Sequence, residues 1–332
     1  MLENQFTQWH QIIETGEREQ WWGKWGFRPS PPDPRDYPLS RIVAPVSLPK
    51  AVRLDSRIVK VLNQGSCGTC VGQATAGIVS AGHNKELSPL YIYARCKQED
   101  GIPNTEGTYP RVALKIAHSE GACQETMLPY SRLLSCLAFP AISQDMKEAA
   151  SGHKIKAYAR LNSFYEIKQA LANGNMVLGG ILVTSNFASW NGQGVFDVPE
   201  GNILGAHAIT VCGYDDGMKA LRCLNSWGEE WGDGGFFWLS YDFVNWKSDI
   251  GMLAWMEGWA VEIEHVNSKI ELWIDKPIAR INGAETMIDP ANPKVVPLLI
   301  EGRTMLPARF ISEAIGKRIS WDAEEQKVTI EG

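Results

Sequence analysis

Long apolar runs are missing from this chain of 332 residues. None approaches the roughly 20 residues that a membrane-spanning helix needs, so membrane insertion through such a helix is not expected. Basic runs are missing too. With a net charge of −6 the chain has no phosphate-binding face, which excludes nucleic acid as its main partner. The opening residues Met1-Leu2-Glu3-Asn4-Gln5-Phe6 lack a basic stretch followed by an apolar one. The expectation is therefore no secretory signal and, by default, a cytoplasmic protein. The absence of an export signal favours reduced thiols, while seven cysteines leave room for two or three disulfides, so the two cues pull apart. What remains is ordinary for a globular protein: 44% hydrophobic and 21% charged residues, enough for one large domain and a smaller companion.

One stretch stands out, Val61-Leu62-Asn63-Gln64-Gly65-Ser66-Cys67-Gly68-Thr69-Cys70, followed by a run of small and apolar residues through Ala81. It places a glutamine six residues before a cysteine at the start of a buried helix. Unpaired N–H groups and the macrodipole at a helix start favour a thiolate. The Gln64 amide is within reach of the same point, as a thiol nucleophile with an oxyanion hole requires. A zinc site or a redox dithiol built from Cys67 and Cys70 is the competing reading. No second Cys-x-x-Cys or His-x-x-His supplies the remaining zinc ligands. The rest of the chain has to decide.

Leu2, Phe6, Trp9 and Ile13 have the spacing of a short amphipathic helix. Trp21, Trp22 and Trp25 lead into a proline-dense stretch from Pro29 to Pro38, which predicts an extended arm. It reads either as an inhibitory pro-segment or as a permanent structural arm docked through its tryptophans. Ser88-Pro89 caps a predicted helix, Arg111 to Glu120 is another, and a third starts near Ser163 and stops at Asn173-Gly174. Beyond it come four predicted strands, Met176–Val183, Ala206–Tyr214, Leu221–Asn225 and Gly235–Leu239. A helical half followed by an antiparallel half predicts an α+β fold of two lobes with a cleft between them.

A lone histidine on an apolar strand is more often a satisfied core group than a base. His207 gains interest from Asn225-Ser226-Trp227-Gly228, which puts an amide at a strand end and an indole two residues on. An amide bound to one imidazole nitrogen aims the other at a thiol, and the indole shields that bond from water.

These residues resemble the papain-like (C1) cysteine peptidases. The matching segments are Asn63-Gln64-Gly65-Ser66-Cys67-Gly68, Cys67-Gly68-Thr69-Cys70-Val71, the stretch from Phe187 through Gly194-Val195-Phe196, and the run from Asn225 to Phe236. His207 follows Cys70 by 137 positions and Asn225 by 155, near the spacing of that family. The similarity spans roughly residues 49 to 262. It implies Cys70 as nucleophile, His207 as base and then acid, and Asn225 as the orienting amide. Gln64 and the Cys70 N–H would be oxyanion donors, with Trp227 as cover. Gly107 would be the retained half of a Gly-Gly substrate-binding strand. Thr69 and Val71 depart from the family pattern, and Val71 implies a changed primed-side cleft. The family's usual partner for Cys67 is missing near Asn104 and Thr105, leaving Cys96, Cys123 or a free thiol. Cys96 with Cys136 matches a second family bridge loosely.

From about Ser268 the pattern changes to short strands, an Asn282-Gly283 turn, a helix from Ile311 to Ile315 and a closing hairpin. Gly302-Arg303-Thr304, Pro307, Arg309-Phe310 and Trp321-Asp322 resemble the copper amine oxidase N-terminal-like domain, common in Gram-positive bacterial surface proteins. No metal-ligand cluster accompanies it, so neither copper nor any other cofactor is expected. The resemblance implies attachment to a cell envelope or protein partner, against a self-contained appendage, and related domains are often extracellular. The expected organisation is an arm at residues 1–48, a peptidase domain at 49–264 and an accessory domain at 268–332. The expected function is hydrolysis of peptide bonds in a peptide or protein substrate through a covalent acyl-enzyme. The alternatives are an arm-blocked binding protein and an acyl transferase using the same triad.

Overall fold

Gly72, Ala74, Ala76 and Gly77 let the helix after Gln64 bury on every side. The computed structural model describes residues 25–43, 46, 48–248, 251–263, 270–281, 284–314 and 318–331. The helix expected before Trp21 therefore lies outside the described residues. Two units divide the chain, residues 1–264 and 265–332.

In the first unit the central helix α1 (Cys70–His83) is buried continuously from Cys70 to Ser80. A helix apolar all round belongs in a core. Gly72 admits the next helix, α2 (Pro89–Glu99), since a Cβ there would lie 3.0 Å from the Cβ of Tyr93. Ser88 caps α2 by accepting from the Tyr91 N–H, as the Ser-Pro pair predicts. Helices α3 (Pro110–Ser119), α4 (Gln144–Ala150) and α5 (Phe164–Ala172) follow, the last capped by Ser163. Short helices α6 (Ser185–Ser189) and α7 (Tyr241–Asn245) flank strands further on.

The sheet lies against this helical lobe. Its strands are β1 (Ala51–Arg53), β2 (Ile155–Arg160), β3 (Met176–Thr184), β4 (Val195–Phe196), β5 (Ile203–Asp215), β6 (Ala220–Leu224), β7 (Phe236–Ser240) and β8 (Trp255–Ile263). They run in the order β2-β8-β3-β5-β6-β7-β4, with β1 also paired to β5. All pairs are antiparallel except β4–β7. β3 is buried at every position, as its unbroken apolar run predicts, and pairs Ile181 with His207 on β5. The helical and β halves are less cleanly separated than expected, because β1 crosses from the helical half to join the sheet.

The cysteines correct the expected pairing. Cys67 is bonded to Cys136, while Cys96 and Cys123 are buried free thiols, as are Cys70, Cys212 and Cys223. Cys96 and Cys123 are instead fully buried core residues.

The second unit holds a three-stranded sheet, β11-β10-β9, made of β9 (Ile270–Leu272), β10 (Ile278–Ile281) and β11 (Ala284–Met287). The expected turn residues Asn282 and Gly283 lie outside the described residues. A hairpin, β12 (Leu298–Ile300) with β13 (Arg303–Met305), turns through Glu301 and Gly302, both at positive φ as a tight hairpin demands. Helix α8 (Ala308–Ala314) and the hairpin β14 (Arg318–Asp322)–β15 (Lys327–Glu331) complete it.

Candidate active site

Cys70 is the first residue of α1, directly after Thr69. The preceding turn is pinned from two sides. The Cys67–Cys136 bridge holds it covalently, and the Tyr130 hydroxyl meets both Thr69 Oγ1 (2.7 Å) and the Gln64 carbonyl (2.8 Å). Two effects compete at the sulfur. A helix N-terminus is worth about 0.3–1 kcal/mol to an anion, and up to about 2 where partly buried. Burial opposes it, and the fully buried thiol is pushed up to about 12 despite N–H groups from Ala208, Val71 and Cys70 itself. Burial wins, and the expected thiolate is a neutral thiol in this state.

His207 reaches the same point from β5. The N–H of its neighbour Ala208 points at Cys70 Sγ from 3.4 Å. Asn225, one residue beyond the end of β6, places Oδ1 2.8 Å from His207 Nε2. The same oxygen accepts from the Ser226 N–H at 2.8 Å, which fixes the orientation of the carboxamide. Nε2 therefore carries the imidazole proton and Nδ1 keeps its lone pair. Burial lowers His207 to about 4, with Asn225 and the Trp25 backbone working against the shift. Trp227 covers this pair, its ring centroid 5.1 Å from the imidazole.

Gln64 is anchored to the same segment. Its N–H bonds to the Ser226 carbonyl, its Oε1 accepts from Ser226 Oγ (2.7 Å), and its Nε2 donates to the Cys67 carbonyl (2.9 Å). One amide N–H then remains to serve a ligand. Val71 is fully buried beside these groups.

The arm supplies what the sequence reading missed. The Trp25 carbonyl accepts from Cys70 Sγ at 2.7 Å, and the Trp25 ring lies 6.0 Å from Trp227. Gly26 passes so close to the turn before Cys70 that a Cβ there would sit 2.1 Å from the Gly68 carbonyl oxygen. Phe27 is fully buried against Gly180, where a Cβ would overlap its ring. The Gly26 carbonyl accepts from Thr108 N–H (3.0 Å), and Arg28 N–H donates to the Thr108 carbonyl (3.1 Å). Beyond the cleft, the Ser30 N–H donates to Glu257, and Asp36 pairs with Arg111 and Arg160. Cys70, His207, Asn225, Gln64 and Trp227 thus meet at one place, under the arm. Gly107 lies against Gly26 but pairs with it through no backbone bond; Thr108 does that. The one cue in the sequence was a glycine set among Trp25 and Phe27, where only a missing side chain allows so close a passage.

Among the described residues no group of three or more His, Cys, Asp or Glu is placed to hold a metal ion. No helix among them is long and apolar enough to cross a membrane.

Residues 49–253 match the model of the papain family cysteine protease, and residues 253–330 match that of the copper amine oxidase N-terminal domain. An uncharacterized peptidase C1-like protein of Acanthamoeba polyphaga mimivirus is 26% identical over 220 residues, covering 60% of this chain and 68% of that protein. Chymopapain of Carica papaya is 28% identical over 211 residues, covering 60% of this chain and 56% of that protein. Among solved structures, xylellain, a cysteine protease from Xylella fastidiosa, superposes with a TM-score of 0.63 at 24% identity. That match covers 73% of this chain and 97% of xylellain.

Proposed function

Because this chain belongs to the papain family of cysteine proteases, we propose that it cleaves peptide bonds with Cys70, His207, Asn225 and Gln64, and that the arm at Trp25–Phe27 holds it latent. One observation carries the reading: the Asn225 amide fixes the His207 proton on Nε2, beside a thiol that its own arm is holding. Once the arm leaves, the Cys70 proton passes to His207 Nδ1 and the thiolate attacks the substrate carbonyl carbon. The carbonyl electron pair moves to oxygen, which the Gln64 Nε2 and Cys70 N–H groups receive. Collapse breaks the C–N bond while His207 protonates the leaving amine. Water then attacks the thioester, gives its proton to His207 and releases the acid and the thiol.

The arm carbonyl itself is not set up for attack. Its oxygen, not its carbon, faces the sulfur, and Gln64 Nε2 donates to Cys67 instead of to it. The test is labelling of the full chain carrying Gly26→Ala, which frees the arm, with a thiol-directed epoxide, intact mass and peptide mapping, alongside hydrolysis of denatured protein. An adduct confined to Cys70, lost together with hydrolysis in Cys70→Ala, is expected. Hydrolysis surviving in Cys70→Ala would overturn the assignment. Added amine acceptors distinguish acyl transfer by the appearance of amide products.

A further inference from the structure

The segment that pairs with the arm has no regular strand behind it. Residues 101–109 form an irregular loop, and Thr108 meets Phe27 in an isolated parallel bridge. No covalent link steadies this loop, since Cys67 is bonded to Cys136 and the loop holds no cysteine. Gly107, at positive φ, and Thr108 present their main-chain groups to opposite sides. The Thr108 N–H and carbonyl face outward to Gly26 and Arg28. The Gly107 groups face inward: its N–H donates to the Tyr93 hydroxyl at 3.3 Å and its carbonyl accepts from Lys97 Nζ at 2.9 Å.

Lys97 is a buried ammonium on α2. It also donates to the carbonyls of Ile102 (2.8 Å) and Thr105 (2.7 Å) and to the Asp100 carboxylate (2.8 Å). Four oxygens thus surround three N–H groups, and three of the four are main-chain oxygens of the loop. The Asp100 side chain is fully buried and its other oxygen accepts from Ile102 N–H at 3.0 Å. A buried ion pair is expensive unless every donor and acceptor is met, and here the loop closes around it to meet them.

We propose that Lys97 is a positioning residue: its ammonium is the template that holds Gly107, and through Gly107 the outward-facing Thr108 backbone, as the docking edge for any extended peptide in the cleft, the arm and the substrate alike. The substrate half rests on the proposed peptidase activity; the arm half does not. Truncating the ammonium to Lys97→Met frees the loop carbonyls, and Lys97→Met with Asp100→Asn does so without leaving a buried charge unpaired.

The test is site-resolved alkylation of the full chain with iodoacetamide at neutral pH. In both variants the rate at Cys70 is expected to rise at least tenfold as the arm loses its edge, while Cys212 and Cys223, buried in the sheet, stay protected. A Cys70 rate within twofold of wild type overturns the proposal. So does labelling of Cys212 and Cys223 in step with Cys70 in both variants, which makes Lys97 a determinant of the whole fold. In a Gly26→Ala background the paired substitution is expected to raise KM for an extended peptide about tenfold with kcat within twofold. An unchanged KM overturns the substrate half even where the arm result holds, and absence of any hydrolysis in that background refutes the peptidase reading and leaves the alkylation result standing.

Discussion

Gly26→Ala should expose the Cys70 thiol without touching it. Gly26 has φ +81°, a region that costs an L-residue about 1–2 kcal/mol. The added methyl would also lie 2.1 Å from the Gly68 oxygen and 2.3 Å from its carbon. Neither is the end of a flexible side chain, so the arm has to move, and overpacking of this kind costs about 1–3 kcal/mol. Together these destabilise the docked arm by about 2–5 kcal/mol, or roughly 30- to 5,000-fold in the opening equilibrium. While covered, Cys70 with its thiol near 12 is almost wholly protonated at pH 7, so labelling proceeds through the open form. The alkylation rate at Cys70 then scales with the opening constant and should rise by that factor, with Cys212 and Cys223 unlabelled as a check on the fold. A Cys70 rate within twofold of wild type at pH 7 would refute the claim that the arm controls the thiol.

Reduction of the Cys67–Cys136 bridge, which closes a 69-residue separation, should cost up to about 4 kcal/mol of stability by the loop-entropy relation, read as a lower urea midpoint in dithiothreitol. Asn225→Ala removes the bond that orients His207; in the Gly26→Ala background kcat should fall about 10- to 100-fold, the worth of a hydrogen bond to a charged group, with KM little changed. His207 is depressed from 6.5 to about 4 in the folded chain, so between those values the unfolded chain binds a proton that the folded one does not. Stability from this group is fully present above pH 6.5 and falls by about 3 kcal/mol as pH drops to 4; denaturant midpoints that stay flat across that window in wild type, or that keep the slope in His207→Gln, would contradict it.

Residues that act through local chemistry were legible in the sequence. The turn at Gln64–Cys70, the strand carrying His207 and the Asn225 segment each bear a distinctive side chain within a recognisable pattern, and the structure brings them together. β3 was legible for a related reason, because continuous burial leaves a continuous apolar run. β2 and β8 were not. β2 alternates lysine and tyrosine with small residues, and β8 is broken by Glu257 and Gly258 although buried along most of its length. Glu257 is tolerated there because Ser30 from the arm and Trp259 satisfy its carboxylate, a partnership between residues 227 positions apart that no local window contains. A docked or cleft-blocking arm was legible from its tryptophans and prolines, but the contacts by which it grips the cleft were not, on the same grounds. They depend on main-chain groups of Trp25, Gly26 and Thr108, and main-chain groups are the same in every sequence. Lys97 carries no local signal either, since three of its four oxygen partners are main-chain carbonyls.

The arm also acts on more than access. With Cys70 near 12 and His207 near 4, moving the proton from sulfur to imidazole costs on the order of 10 kcal/mol before their mutual attraction is counted. With the ordinary values of 9.0 and 6.5 the same transfer costs about 3 kcal/mol. Desolvation is the leading cause of both shifts, and Trp25, edge-on to His207 with its carbonyl on Cys70, is part of what excludes water. The Trp25 carbonyl supplies the thiol with an acceptor that cannot take its proton. On the proposed mechanism, coverage would fill the cleft and also disfavour the thiolate–imidazolium pair. Release of the arm has to restore both together, so a variant that opens the cleft should bring the Cys70 thiolate into the neutral pH range in the same step, and a pH profile of alkylation in Gly26→Ala would carry a midpoint far below that of the covered thiol.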